Sequence, residues 1–148
     1  MISYNQSIHE MNVVSCLYQV NLSDLSVAFN DFITNITSAG YTIAGQLFYS
    51  INSDLNQTEN MIVELFVPIE EDTCKLDDRF VFRTYFQLTD LMATRANGDT
   101  ERDFSEAIQI LINEIVDKNL TVKTPTFYKV YLTDNGDTFT DIMIGVRG

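Results

Sequence analysis

A short pattern that occurs twice constrains the fold of this chain more than any other feature. Residues 64–68 read E-L-F-V-P, and residues 141–145 read D-I-M-I-G. In both copies an acidic residue stands four positions before the Pro or Gly that ends an apolar run. Each run follows an aromatic strand-like segment, which itself follows a helix-like segment. This repetition predicts a duplicated strand–helix–strand–strand (β-α-β-β) unit, with one carboxylate at a matching point of two strands.

Each half of the chain carries helix signals between strand signals. Apolar residues recur at three- and four-residue steps in both helix-like segments, which marks one buried helical face. Residues 21–24 offer capping chemistry for the first helix and Gly40 ends it, while Thr100 and Asp103 have the spacing of a capping box. We predict helices at 25–38 and from about 100 to 119. We predict strands at 11–19, 45–51, 61–68, 127–132 and 138–146, with one or two strand segments within 80–96. A polar connection at 53–60 and turns at 97–100 and 134–137 separate these elements.

The 148-residue length suits one domain that spans residues 1–148. The repeat divides this domain into halves of about 10–69 and 79–147, joined by the acidic stretch 70–78. The predicted class is α+β.

Strand alternation sends residues 61, 63, 65 and 67 to one side of their strand, which suits packing against helices. Glu64 and Phe66 then face the other side, and Asp141 and Met143 repeat this placement in the second copy. An apolar, aromatic face with few acids is typical of a ligand groove. The alternatives are an edge strand with a solvated acid and a dimer that forms through this face.

Three segments of the second half carry a family resemblance. They are F-S-E-A-I-Q-I-L-I-N-E-I at 104–115, P-T-F-Y-K-V-Y-L at 125–132 and D-I-M-I-G-V at 141–146. Together they resemble the GyrI-like small-molecule-binding domain, also called the bacterial transcription-activator effector-binding domain. The first half shows a weaker copy, with G-Q-L-F-Y at 45–49 and E-L-F-V-P-I at 64–69. The resemblance covers about residues 10–147.

The resemblance implies a SOUL-like, pseudo-twofold antiparallel sheet with two helices on one side and a central groove on the other. Members bind ligands in that groove, many of them hydrophobic cations, with an acid on the last strand and aromatic walls. Carried over to this chain, the implied ligand contacts are Glu64, Asp141, Tyr49, Tyr131, Phe66 and Met143.

Two departures from the family pattern concern the last strand. Asp141 stands where the family usually has the longer Glu, and Gly145 stands where it usually has Pro. The ten residues before the first predicted strand leave no room for the helix-turn-helix that some relatives carry. We therefore expect a stand-alone member without a DNA-binding part.

The net charge of −12 argues against nucleic-acid binding, which requires clustered Lys and Arg. It is compatible with a hydrophobic or cationic small molecule, with a basic protein partner, or with solubility alone. No apolar run is long enough for a membrane span, and no signal peptide is evident, so we expect a cytoplasmic bacterial protein with reduced Cys16 and Cys74.

Catalytic and metal signals are weak. The hydrolase alternative would use Glu64 with Tyr49 or Tyr131, but no nucleophile motif accompanies them. The only histidine, His9, falls in an N-terminal region that we expect to be a mobile tail. Arg95 and Gly98 near a helix start suggest an anion site, which the adjacent acids argue against. The acidic turns lack metal-ligand spacing, so we expect no catalytic residues, no metal and no cofactor.

These observations give three hypotheses in order. The first is a stand-alone domain that binds or sequesters a hydrophobic or cationic small molecule. The second is an acidic interaction or neutralising partner protein that keeps the fold. The third is a hydrolase based on a groove Glu and Tyr.

Overall fold

The structure is a computed structural model that describes residues 1–54, 57–98 and 100–148, apart from the side chain of Leu132. Residues 55 and 56 of the predicted connection, and Asp99 of the predicted turn, lie outside the described residues. The elements are β1 (Ser3–Val20), a short 3-10 helix (Leu22–Asp24), α1 (Leu25–Ser38), β2 (Phe48–Ile51), β3 (Met61–Pro68), β4 (Phe80–Ala96), α2 (Glu101–Asp117), β5 (Thr121–Leu132) and β6 (Thr138–Arg147). The predicted α+β class, with two α-helices and antiparallel strands, is confirmed.

The chain divides into two compact units. The first unit is His9–Gln87, and the second unit is Met1–Ile8 together with Leu88–Gly148. The division falls inside β1 and β4, and the acidic stretch 70–78 lies within the first unit. It falls there because the start of β4 packs within the first unit, where the ring of Phe80 stacks on that of Phe32 at 6.2 Å.

In the first unit, β3 lies between β1 and β2 and is antiparallel to both. The helix α1 covers one face of these strands with residues at four-residue spacing, namely Ala28, Phe32 and Ile36, all buried. The side chains at 61, 63, 65 and 67 of β3 are buried, as strand alternation predicts. Beyond α1, Gly40 has the positive φ of 95° that a left-handed helix end requires.

In the second unit, β6 lies between β5 and β4, again antiparallel to both. The capping box predicted for α2 is present, since the Thr100 hydroxyl accepts from the Asp103 amide and the Asp103 carboxylate accepts from the Thr100 amide. The ring of Phe104 on α2 contacts that of Tyr128 on β5 at 6.4 Å. The turn between β5 and β6 contains Gly136, whose φ is 86°. None of the described helices is long and apolar enough to cross a membrane.

The expectation that the N-terminal region around His9 is a mobile tail is wrong. The strand β1 begins at Ser3, Ile8 is buried, and the His9 ring lies 5.0 Å from that of Tyr85. No strand signal is visible in residues 3–10 because polar side chains dominate this part of β1, and Asn5 has a positive φ of 58°. A residue with positive φ interrupts the regular alternation of side chains along a strand.

Two strand boundaries also differ from prediction. The strand β2 begins at Phe48 instead of residue 45, where the backbone of Gly45 lies close against the ring of Pro68. The strand β5 begins at Thr121 instead of residue 127, and its register shifts between Val122 and Thr126. The prediction placed Pro125 outside the strand, but proline is tolerated in a strand at such irregular positions.

Candidate functional site

The acid predicted for the last strand, Asp141, lies at the centre of the second unit's sheet. It pairs with Arg95 on β4 and with Lys129 on β5. Phe139 lies two positions before Asp141 on β6 and pairs with Tyr131 on β5. The side chains of Asp141, Phe139 and Tyr131 therefore share one face of the sheet. The Tyr131 and Phe139 rings stack, with their centroids 5.0 Å apart and an interplanar angle of 16°. The face of Asp141 therefore combines one carboxylate with two stacked rings.

A guanidinium from the same chain contacts both the carboxylate and one ring. The Nε of Arg95 donates to Oδ1 of Asp141 at 2.8 Å, and its Nη2 donates to Oδ2 at 3.4 Å. The Cζ of Arg95 lies 4.1 Å from the centroid of the Phe139 ring. The hydrogen bond to Asp141 raises the pKa of Arg95, so this cation stays charged at any physiological pH. The side chains are 52% exposed for Arg95 and 23% exposed for Asp141, so water reaches both groups.

A second cation stands beside the other ring of the same face. The Nζ of Lys129 lies 5.7 Å from the centroid of the Tyr131 ring, which is within the range of a cation–π contact. Both rings of the Asp141 face thus attract positive charge in the structure.

A concavity of about 310 Å³ adjoins this ion pair within the second unit. Its size is at the lower end of the range for small-molecule pockets. Its lining consists of Met1, Ser3, Gln6, Ala93, Thr94, Arg95 and Asp141.

A larger open concavity of about 590 Å³ lies elsewhere in the second unit. Its charged lining side chains, Asp90, Lys123 and Arg147, are exposed, and it contains none of the predicted site residues. Its lining includes Tyr4 and Asp90 but not Asp141, Tyr131 or Phe139, so this concavity is separate from the predicted site.

The second predicted acid, Glu64, belongs to a partly buried hydrogen-bond network in the first unit. The buried Ser15 hydroxyl donates to Oε2 of Glu64 at 2.8 Å and accepts from Nη1 of Arg83, also at 2.8 Å. The Nη1 of Arg83 lies 3.6 Å from the same Glu64 oxygen, and its Cζ lies 5.9 Å from the Phe66 centroid. Each predicted acid therefore has an arginine of β4 as its counter-ion.

The aromatic positions predicted in the first unit are packed. Phe66 is 2% exposed, and its ring stacks on Phe48 at 4.8 Å and contacts Phe86 at 5.0 Å. Tyr49 pairs with Leu65, so it faces away from Glu64 and Phe66, and its ring contacts Phe29 of α1 at 5.2 Å. The first unit thus brings Glu64 and Phe66 to one face and places Tyr49 on the opposite face.

In the second unit, the three predicted residues share one face. Met143 lies two positions from Asp141 on β6, pairs with Phe127 and is buried. Tyr131 and Asp141 are partly exposed. Asp141 and Tyr131 are therefore the predicted contacts that solvent reaches in this unit.

Sequence reasoning missed Arg83 and Arg95 as the partners of the two acids. A signal for them was present, because both arginines stand within an otherwise mostly uncharged strand sequence, F-V-F-R-T-Y-F-Q-L-T-D-L-M-A-T-R-A. A charged side chain among apolar neighbours requires a counter-charge or water.

Neither cysteine has the features of a reactive thiol. Cys16 is buried and Cys74 is partly buried, and burial raises the pKa of both thiols, which disfavours the reactive thiolate. Among the described residues, no group of three or more His, Cys, Asp or Glu side chains is placed to hold a metal ion.

Comparisons with known proteins agree with this geometry at the level of the fold. Residues 9–103 match the family described as Domain of unknown function (DUF5085). This chain belongs to the DUF5085 family. No curated protein matches it in sequence.

Solved structures extend the comparison of this DUF5085 member over the whole chain. The isolated EcmrR C-terminal domain superposes with a TM-score of 0.79 at 16% identity, over 99% of this chain and 97% of that domain. EcmrR in its DNA complex gives a TM-score of 0.81 at 15% identity over 99% of this chain, which spans only 57% of the EcmrR chain. SAV2435 bound to tetraphenylphosphonium gives a TM-score of 0.56 at 15% identity, over 100% of this chain and 93% of that one. The GyrI-like fold that the sequence resemblance implied is thereby confirmed.

Proposed function

We propose that this DUF5085 member is a small-molecule-binding domain whose ligands are lipophilic cations. The proposed site is the face of the second unit formed by Asp141, Tyr131 and Phe139. The observation that carries the proposal is the position of Arg95, whose guanidinium contacts both the carboxylate and a ring of this face. A face that holds one delocalised cation in this way has the chemistry to hold another.

The physical contributions are modest individually. A cation over an aromatic ring gains about 0.5–2 kcal/mol, depending on how far it is desolvated. A partly exposed carboxylate adds roughly 0.2–1 kcal/mol. The net charge of −12 attracts cations over a distance and raises their encounter rate. The fold of SAV2435, which binds tetraphenylphosphonium, supports a ligand of this class.

We further propose that the chain is a duplicated β-α-β-β unit and that the six predicted contacts have different roles. The order strand–helix–strand–strand occurs twice, and each unit has one acid paired with an arginine of β4, which supports duplication. Asp141 and Tyr131 are the proposed direct contacts, and Glu64 is the proposed mate of Asp141 in the first unit. The proposed role of Phe66, Met143 and Tyr49 is to support the strands, since all three are buried.

Calorimetric titration with tetraphenylphosphonium tests the proposal. We expect saturable binding that Asp141→Asn weakens about three- to fivefold, as loss of a partly exposed carboxylate implies. The matched control is Asp78→Asn, which makes the same charge change at an exposed residue of the first unit. Binding that is absent, or equally strong in wild type and Asp141→Asn, contradicts the proposal.

The second candidate is an acidic interaction partner that keeps the fold without a ligand site. One observation favours it, namely that each predicted acid already has a counter-ion from the same chain. Its signature is co-purification with a basic protein at a stoichiometric ratio, together with no tetraphenylphosphonium binding.

The hydrolase alternative loses its Glu64–Tyr49 pair, because these side chains project from opposite faces of the sheet.

A further inference from the structure

We propose that Arg95 is the resident cation of the Asp141 site and determines which ligands can enter it. In this proposal the guanidinium must leave the carboxylate and the Phe139 ring before a ligand cation can bind there. The inference rests on the proposed function and adds the residue that sets its specificity.

The contacts of Arg95 are the ones that a ligand cation would need. Two of its nitrogens donate to the two oxygens of Asp141, at 2.8 and 3.4 Å. Its Cζ lies 4.1 Å from the Phe139 centroid, so the guanidinium covers one side of that ring. A second cation cannot reach the same carboxylate and ring without overlapping it. Ligand and Arg95 therefore compete for one position.

The side chain of Arg95 is able to move. It is 52% exposed, and exposed ion pairs of this kind are weak enough to open at little cost. The adjoining concavity of about 310 Å³ includes Ser3 and Gln6, whose polar side chains are able to receive a displaced guanidinium. The backbone of Arg95 stays in register with Asp141, so a rotation of the side chain is sufficient.

Arg83 provides an internal contrast. It reaches Glu64 at 3.6 Å and is hydrogen-bonded to the hydroxyl of Ser15, which is fully buried. Its Cζ is 5.9 Å from the centroid of the Phe66 ring, a longer contact than the 4.1 Å of Arg95 over Phe139. Arg83 is therefore held by a buried hydroxyl, whereas the carboxylate and the ring that Arg95 contacts are both partly exposed.

Competition with a guanidinium selects for a particular ligand chemistry. Small, strongly hydrated ammonium ions offer no more ring contact than Arg95 does and should not displace it. A bulky aromatic phosphonium can contact both Tyr131 and Phe139, and it is less strongly hydrated. The site should therefore accept large lipophilic cations and reject methylammonium.

The experiment is a calorimetric titration of wild type and Arg95→Gln with tetraphenylphosphonium. Removal of the competing cation should tighten binding about tenfold, the combined effect of one exposed ion pair and one cation–π contact. The control is Arg102→Gln, which makes the same charge change at a residue of α2 that pairs with Glu106. Binding to this control should stay within about twofold of wild type.

The outcomes separate this inference from the proposed function. Wild-type binding that Arg95→Gln leaves unchanged or weakens overturns the role of Arg95 and leaves the proposed function standing. Binding by Arg95→Gln alone supports the role of Arg95 but contradicts ligand binding by the natural protein. An absence of binding in both proteins overturns both proposals.

A second measurement covers the case in which Arg95→Gln does not fold. In wild type, the Nε–Hε resonance of Arg95 can be followed by NMR while tetraphenylphosphonium is added. We expect the resonance to shift and to exchange faster with water as its hydrogen bond to Asp141 is lost. A resonance that is unchanged at saturation overturns the inference.

Discussion

Replacement of Phe66 by alanine tests how the aromatic face of the first unit is built. The ring is 2% exposed and contacts Phe48 at 4.8 Å and Phe86 at 5.0 Å. Truncation of a buried Phe to Ala typically costs about 3–5 kcal/mol. Each lost ring pair accounts for roughly 0.5–1.5 kcal/mol beyond the buried area. We therefore expect Phe66→Ala to lower the free energy of unfolding by about 4 kcal/mol, within this range.

Urea unfolding followed by circular dichroism measures this loss. The control is Phe66→Leu, which keeps most of the volume and should cost less than about 1.5 kcal/mol. For a domain of this size each kcal/mol shifts the melting temperature by roughly 2–4 °C, so Phe66→Ala should also lower it by roughly 8–16 °C. A loss below about 1 kcal/mol would refute the reasoning, since surface changes cost this little. In that case the ring would face open space and could serve as an accessible ligand wall.

Three further predictions concern the hydrogen bonds and buried groups of each unit. Ser15→Ala removes hydrogen bonds to two charged groups and should lower the free energy of unfolding by about 2 kcal/mol. Ser50→Ala removes a bond to a neutral amide oxygen and should lower it by about 1 kcal/mol. Equal losses in urea unfolding would contradict this prediction. Thr100→Ala removes the capping box of α2 and should lower the free energy of unfolding by about 1 kcal/mol, whereas no change would show that the cap contributes nothing. Burial raises the pKa of Tyr128 to about 12, so its contribution to stability is present below its unfolded pKa of about 10 and is lost as pH rises towards 12. Tyr128→Phe should therefore lose less stability than wild type between pH 10 and 12, and identical pH profiles would contradict the prediction.

The helices and the buried strand faces could be predicted because local sequence determines them. The four-residue spacing of apolar side chains gave the bounds of α1, and period-two alternation gave the buried face of β3. The capping box of α2 followed from the types and spacing of two residues, Thr100 and Asp103. In each case the prediction needed only neighbouring residues.

The features that could not be predicted depend on pairing between distant segments. The polar start of β1 becomes a strand only through its partners, since its own residues show no apolar alternation. The facing of Tyr49 depends on its register with Leu65, and a shift by one residue would reverse it. The counter-ions of Glu64 and Asp141 depend on the course of β4, which is 17 residues long. The predicted acids were correctly placed on strands, but their partners are known only from the structure.

A structure of the protein with tetraphenylphosphonium tests the central claim most directly. We expect the phosphonium to lie within about 6 Å of the Tyr131 or Phe139 ring centroid, next to Asp141. We also expect the guanidinium of Arg95 to have left the carboxylate. Phosphonium bound at another surface, with the ion pair between Arg95 and Asp141 intact, would contradict the account.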